Sequence, residues 1–158
     1  MKKYELIKTE IARKKSKSFN RDLFQIKALK DFNFKTKHLS IEIKKGDFGG
    51  FVESESNLSQ DGTCWLIKNS FVCGAAQVKE HAHTITLEDE LDQVFIQDNV
   101  VVKGRATVWS NTVLEGNAVI KDDAYLSASG SLTIGGDAVI GGNLVIEVPH
   151  GECGINKE

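Results

Sequence analysis

Aliphatic side chains recur every six residues through the second half of the chain. Leu66, Val72 and Val78 share one phase with Ile96, Val102, Val108, Leu114, Ile120 and Leu126. Two places ahead of most of these sit shorter side chains: Ser70, Ala76, Val100, Ala106, Thr112, Ala118 and Ala124. Around them fall Asn69, Gly74, Asn99, Gly104, Asn111, Gly116, Asn117, Asp122 and Asp123. These types tolerate left-handed backbone angles, so each hexad predicts a short strand followed by a sharp corner. After Leu126 the phase slips by two and resumes at Ile134, Ile140 and Ile146, which predicts a bulged corner around Ser127 to Ser131. One hexad cannot bury its own aliphatic residue. Successive turns must stack, and the pattern predicts a solenoid in place of a hairpin sheet, whose strands do not hold one phase for so long.

Upstream the alternation is looser. Tyr4 and Leu6 with Thr9 and Ile11, then Leu23 to Leu29, then Leu39 to Ile43 predict the strands of a cap over residues 1–47, with Arg13 to Arg21 as a hairpin tip or mobile loop. The cap is expected to cover the N-terminal end of the solenoid, where unpaired backbone would invite edge association. Gly49-Gly50-Phe51-Val52 reads as a tight crossover into the first coil. It is no G-x-G-x-x-G, and no cofactor site is read in the chain. Glu53, Glu55 and Asn57 mark an exposed turn, and Trp65 a plug at the junction. The solenoid is placed at 48–148, with an excursion near 84–93. There His81-Ala82-His83 and the run Glu88-Asp89-Glu90-Leu91-Asp92 interrupt the anchors. Residues 149–158 follow the only proline as a polar tail, either disordered or a small cap.

The run from Asn99 to Val108, with Asn117-Ala118-Val119-Ile120 after it, resembles the hexapeptide-repeat proteins that fold as left-handed parallel β-helices. The resemblance covers about half the chain and implies an all-β fold, a left-handed β-helix behind a β-strand cap. A narrower likeness lies in Gly46-Asp47-Phe48-Gly49-Gly50-Phe51-Val52-Glu53-Ser54-Glu55-Ser56-Asn57-Leu58-Ser59 and in Cys64-Trp65. It is similar to short phage and prophage proteins of unassigned activity. Many members of the β-helix family are acyltransferases, and the resemblance then implies His81 or His83 as general base, oriented by Glu88 or Asp89. Some carbonic anhydrases on this fold hold zinc. His81 and His83 would need a third histidine, and neither His38 nor His150 is placed by the pattern, so no metal site is read.

Charge divides the chain. Residues 1–45 hold fourteen Lys and Arg against five Asp and Glu, while the remaining 113 residues hold six against seventeen. The head, with Arg13, Lys14, Lys15 and Lys17, can meet nucleic acid or an acidic protein. Cys64, Cys73 and Cys153 lack paired spacing and read as reduced thiols, with Cys73 turned outward by alternation. No apolar run approaches a membrane span or a signal peptide, so a cytoplasmic protein is expected.

No constellation of nucleophile, base and orienter emerges. The expected function is therefore a non-catalytic, macromolecule-binding solenoid. The phage likeness suggests a host-directed role, inhibiting a nucleic-acid-handling defence complex through the acidic surface of Glu88, Asp89, Glu90, Asp92 and Asp98. The alternatives are the acyltransferase and a structural or assembly protein. Trp109, Val113 and Val119, one place off the anchor phase, are expected to supply the flat face of a homodimer or homotrimer.

Overall fold

Three hexads make one turn, because each short strand is followed by a corner that rotates the chain to the next face of a prism. The structure is a computed structural model that describes residues 1–35, 40–86 and 92–158. It is a parallel β-solenoid of about five turns. The head contributes β1 (Tyr4–Ile7), α1 (Glu10–Phe19), β2 (Phe24–Ala28), β3 (Phe32–Lys35) and β4 (Ser40–Ile43). The first turn is built from β5 (Phe48–Val52), the short 3-10 turn Glu55–Asn57 with Leu58, and β6 (Trp65–Leu66). The second follows with β7 (Ser70–Val72), β8 (Gln77–Val78) and β9 (His83–Ile85), and the third with β10 (Val94–Ile96), β11 (Val101–Val102) and β12 (Thr107–Trp109). The fourth has β13 (Thr112–Leu114), β14 (Val119–Ile120) and β15 (Tyr125–Ala128). The fifth has β16 (Ser131–Gly136), β17 (Val139–Ile140) and β18 (Val145–Val148), before β19 (Glu152–Lys157).

The first face of the prism is an eight-stranded sheet in the order β1-β2-β5-β7-β10-β13-β16-β19. Its β1, β2 and β5 pair antiparallel, and from β5 onward all pairs are parallel. The cap is therefore a continuation of the solenoid wall. The second face runs β8 to β17 and the third β6 to β18. The segment beyond Pro149 joins the first face as β19, in parallel register with β16.

Anchors from successive turns lie one above another. Val78, Val102 and Ile120 are in register on the second face, and Val72, Ile96, Leu114 and Ile134 on the first. All of these are fully buried, as are Ala76, Ala106 and Ala118 beside them. Burying one such aliphatic residue is worth roughly 1.5–3 kcal/mol, and only the rung above or below supplies the apolar surface that allows it. On the third face the second-turn position falls to Thr84. Its hydroxyl pairs with that of Ser70, 2.5 Å away, so the polar atoms in the core satisfy each other.

Corner columns carry a second regularity. Between the second and third faces, Gly62, Glu80, Gly104, Asp122 and Gly142 all have positive φ, and between the first and second so do Gly74, Asp98, Gly116 and Gly136. A carboxylate from one rung accepts the amide N–H of the glycine in the next. Glu80 serves Gly104 at 2.7 Å, Asp98 serves Gly116 and Asp122 serves Gly142 at 2.9 Å, and Glu53 serves Gly74 at 2.9 Å. A Cβ on Gly104 would lie 2.7 Å from the Asp122 backbone nitrogen, so side chains cannot occupy every rung of the column.

Two expectations are corrected and a third is extended. Residues 10–19, expected to be partly strand and partly loop, form α1. Thr9 Oγ1 accepts the Ala12 N–H at its start, and Asn20 closes it in the left-handed region at φ 52°. Asn57 is not exposed but fully buried. Its carboxamide accepts from the N–H groups of Glu53 and Ser54 and donates to Gly74 O and Ala76 O, bridging the first two turns. Cys73 does point outward, yet α1 covers it.

Gly104→Ala should destabilise the protein by about 3 kcal/mol, from left-handed strain plus the clash on the next rung. Gly142→Ala, with the same backbone sign but no atom within 4 Å of the added Cβ, should cost only about 1–2 kcal/mol. Urea unfolding of the two variants measures the difference.

Candidate functional site

What covers each face decides what is left for a partner. On the first face, outward Phe51, Phe71 and Phe95 stack in consecutive rungs, with ring centroids 5.2 and 5.9 Å apart. Phe19 of α1 packs on Phe71 at 4.8 Å and Phe95 at 5.5 Å. Ala12, Leu23 and Cys73 complete this small core, and burial pushes the Cys73 thiol up to about 12. Lys15 lies over the Phe71 ring, and Lys14 sits 3.7 Å from Glu10. Two of the four cations of the basic cluster thus have partners within the protein.

On the third face the β3–β4 hairpin covers the first two turns. Phe32 packs edge-on to Trp65 at 5.3 Å, and Phe34 stacks on His83 at 4.1 Å. His83 was expected in an exposed loop; it lies in β9 and is fully buried. Its Nδ1 donates to His81 O at 3.3 Å, which leaves Nε2 to accept from Thr107 Oγ1 at 3.1 Å. Burial pushes its pKa down to about 4. With both nitrogens engaged and a phenyl ring across its face, His83 packs; it does not meet a substrate. His81 Nδ1 faces Thr63 Oγ1 at 2.9 Å on the exposed corner below.

Rungs gain residues mostly at the edge from the third face back to the first; the second-to-third corner gains two in the first turn, where Leu58 and Leu66 are eight apart and their partners Val78 and Thr84 six. Partners on neighbouring turns are eighteen apart where no residue is added, as for Asn99 and Asn117, but Thr107 and His83 are twenty-four apart. The extra residues lie between β9 and β10. Further additions fall between β15 and β16 and between β18 and β19, at the same edge. The acidic positions Glu88, Asp89 and Glu90 belong to this stretch and lie outside the described residues, as does His38.

Two adjoining hollows of about 200 and 460 Å³ run along this edge and share Ser127 and Ser129. The upper is lined by Asp92, Trp109, Ser110 and Asn111; the lower reaches Glu147 and Pro149. Asn111, at φ 52°, donates from Nδ2 to Asp92 Oδ1 at 3.1 Å, which holds the carboxylate in the wall. Ser110 Oγ is the one buried side-chain oxygen or nitrogen among the described residues with no hydrogen-bond partner. Ser110 itself is 4% exposed. Ser110 is among the residues that line the upper hollow, and its buried hydroxyl carries the desolvation cost of an unmade bond. Trp109 and Tyr125 stand side by side at the rim, 6.4 Å apart. Burial, then the Glu147 carboxylate, raises the Tyr125 phenol.

The other proposed positions do not converge here. Asp98 stands at the edge between the first and second faces, with its carboxylate committed to Gly116 N, so it does not share a surface with Asp92. Trp109, Val113 and Val119 lie on the third, first and second faces respectively, and do not form one oligomer face. His150 is exposed beyond β18. No group of three or more metal-ligating side chains gathers among the described residues. The structure has no helix long and apolar enough to cross a membrane among the described residues. Sequence reasoning missed Ser110, Ser127, Ser129 and Tyr125; their common signal is their place beside the corner that lengthens most often. No protein-family model matches the chain, and no curated protein matches it.

His83 yields a pH test. Its folded pKa lies below the ordinary value of 6.5, so the unfolded chain binds the proton first, and the stabilising contribution is complete above about pH 6.5 and lost as pH falls toward 4. Relative to His83→Gln, the parent should lose about 3 kcal/mol between pH 7 and pH 4, read from urea midpoints.

Proposed function

We propose that the protein is a non-catalytic recognition scaffold that binds a macromolecular partner along the edge between its third and first faces. The observation that carries this reading is the hollow at that edge, where an unpartnered buried hydroxyl, a fixed carboxylate and two rim aromatics meet at the corner that accepts extra residues. Aromatic side chains beside small polar ones supply contact area and adaptable hydrogen bonding at little entropic cost. Asp92 and Glu147 make the groove acidic, and residues 46–158 carry an excess of eleven acidic charges, which favours a basic partner surface. The likeness of Gly46 to Ser59 to phage and prophage proteins supports a host-directed form of the reading. In it, the acidic edge occupies a basic groove of a defence complex that otherwise holds nucleic acid.

Self-association is the second reading. Val139, Leu144 and Val145 are 59%, 46% and 49% exposed beside β17 and β18, each of which is the last strand of its sheet. Apolar edges of this kind favour pairing with another copy.

A photo-crosslinking residue at position 127 should capture a bacterial protein that the same residue at position 139 does not. Ser127→Arg, which fills the groove, should weaken retention of that protein more than tenfold while leaving the urea midpoint within about 0.5 kcal/mol of the parent. Undiminished retention by Ser127→Arg would reject the groove. A concentration-dependent increase in sedimenting mass, with no foreign protein captured at position 127, would favour self-association.

A further inference from the structure

Lys3 is the one fully buried lysine among the described residues. Its Nζ donates to Cys64 O at 2.8 Å, lies 3.4 and 3.5 Å from Gly62 O and Asp61 O, and stands 3.2 Å from Cys64 Sγ. The Phe32 ring closes the other side, 5.7 Å from the nitrogen, and Cys64 is itself fully buried. Burial lowers the Lys3 pKa and raises that of the Cys64 thiol, which favours an uncharged amine beside an uncharged thiol. An uncharged amine keeps its lone pair. A separation of 3.2 Å lies in the range at which reacting atoms are held before a bond forms.

We propose that Lys3 and Cys64 form a covalent modification site, in which a small peroxide joins Nζ to Sγ as a sulfenamide. In the first step the Lys3 amine, 3.2 Å away, takes the thiol proton, the Sγ thiolate attacks a hydrogen peroxide oxygen, and the ammonium hands that proton to the departing oxygen. The S–O bond forms, the O–O bond breaks, and the thiol proton leaves with the departing oxygen as water. In the second, Nζ attacks the sulfenic sulfur. The S–N bond forms, the S–O bond breaks, and the hydroxyl leaves with one amine proton as a second water. Sulfur gives up two electrons and the peroxide takes two; the protein loses two hydrogen atoms, about 2 Da. The product ties β1 to the first turn across sixty-one residues of chain.

The test uses the full chain with Cys153→Ser, which removes the half-buried thiol, treated with hydrogen peroxide and digested with trypsin without reductant. The expected product is the peptide of residues 3–8 joined to that of residues 46–68, lighter than their sum by about 2 Da and separated by dithiothreitol. It should be absent from Lys3→Arg and from Cys64→Ser, and the oxidised parent should unfold at a higher urea concentration than the reduced one. Met1, 98% exposed, reports that the oxidant was active. Three results would overturn the proposal: Cys64 carried to sulfinic acid with Lys3 free, Cys64 untouched when Met1 is fully oxidised, or a linked peptide heavier by one oxygen. All three are read on a chain with residues 3 and 64 unchanged, so none depends on whether the variants fold.

Discussion

Rung-on-rung contact between inward side chains is the constraint on which the rest of the molecule depends. An aliphatic residue in a two- or three-residue strand has no neighbours of its own turn large enough to cover it. It is dry only because another lies about 4.8 Å above or below it in parallel register. The register is therefore not negotiable on any face. A shift by one residue would turn Val102 or Leu114 to solvent and bring Val101 or Val113 inside.

The corners answer to this demand. Each must return the chain at fixed height, and from the second turn onward a left-handed residue does so at the first-to-second and second-to-third corners. The alternation of glycine with Glu80, Asp98 and Asp122 follows from the close approach of stacked corners, and it uses carboxylates to satisfy the amides of the glycines between them. Four of the body's carboxylates thus have an internal duty. Charge counted along a solenoid overstates what is free to meet a partner, whereas a hollow such as that around Ser110 marks a place where the structure leaves a polar group unserved.

The solenoid was legible because its signal is periodic and its anchors are inward. Surfaces were harder to read. Side chains on one face recur after a whole turn, eighteen residues or more, so Trp109, Val113 and Val119 look adjacent in sequence and lie on three sides of the prism. The helix over residues 10–19 was hidden by its many lysines and short apolar stripe. The residues that give it away lie elsewhere: Phe71 and Phe95 sit at outward positions, where bare phenylalanines on a solvated wall would be costly. His83 and Phe34 make the same argument for the hairpin. The groove had no motif of its own, because its serines differ from other corner residues only in position.

Residues added at the edge from the third face back to the first have a consequence for how such a molecule changes. Lengthening the chain between β9 and β10, or between β15 and β16, leaves the height and phase of the other two walls untouched, since both segments begin and end at the same corner. That corner can be rewritten segment by segment while the prism behind it stays the same. In this the protein resembles a frame with interchangeable tips, and a designer seeking to display a foreign loop would choose the same place.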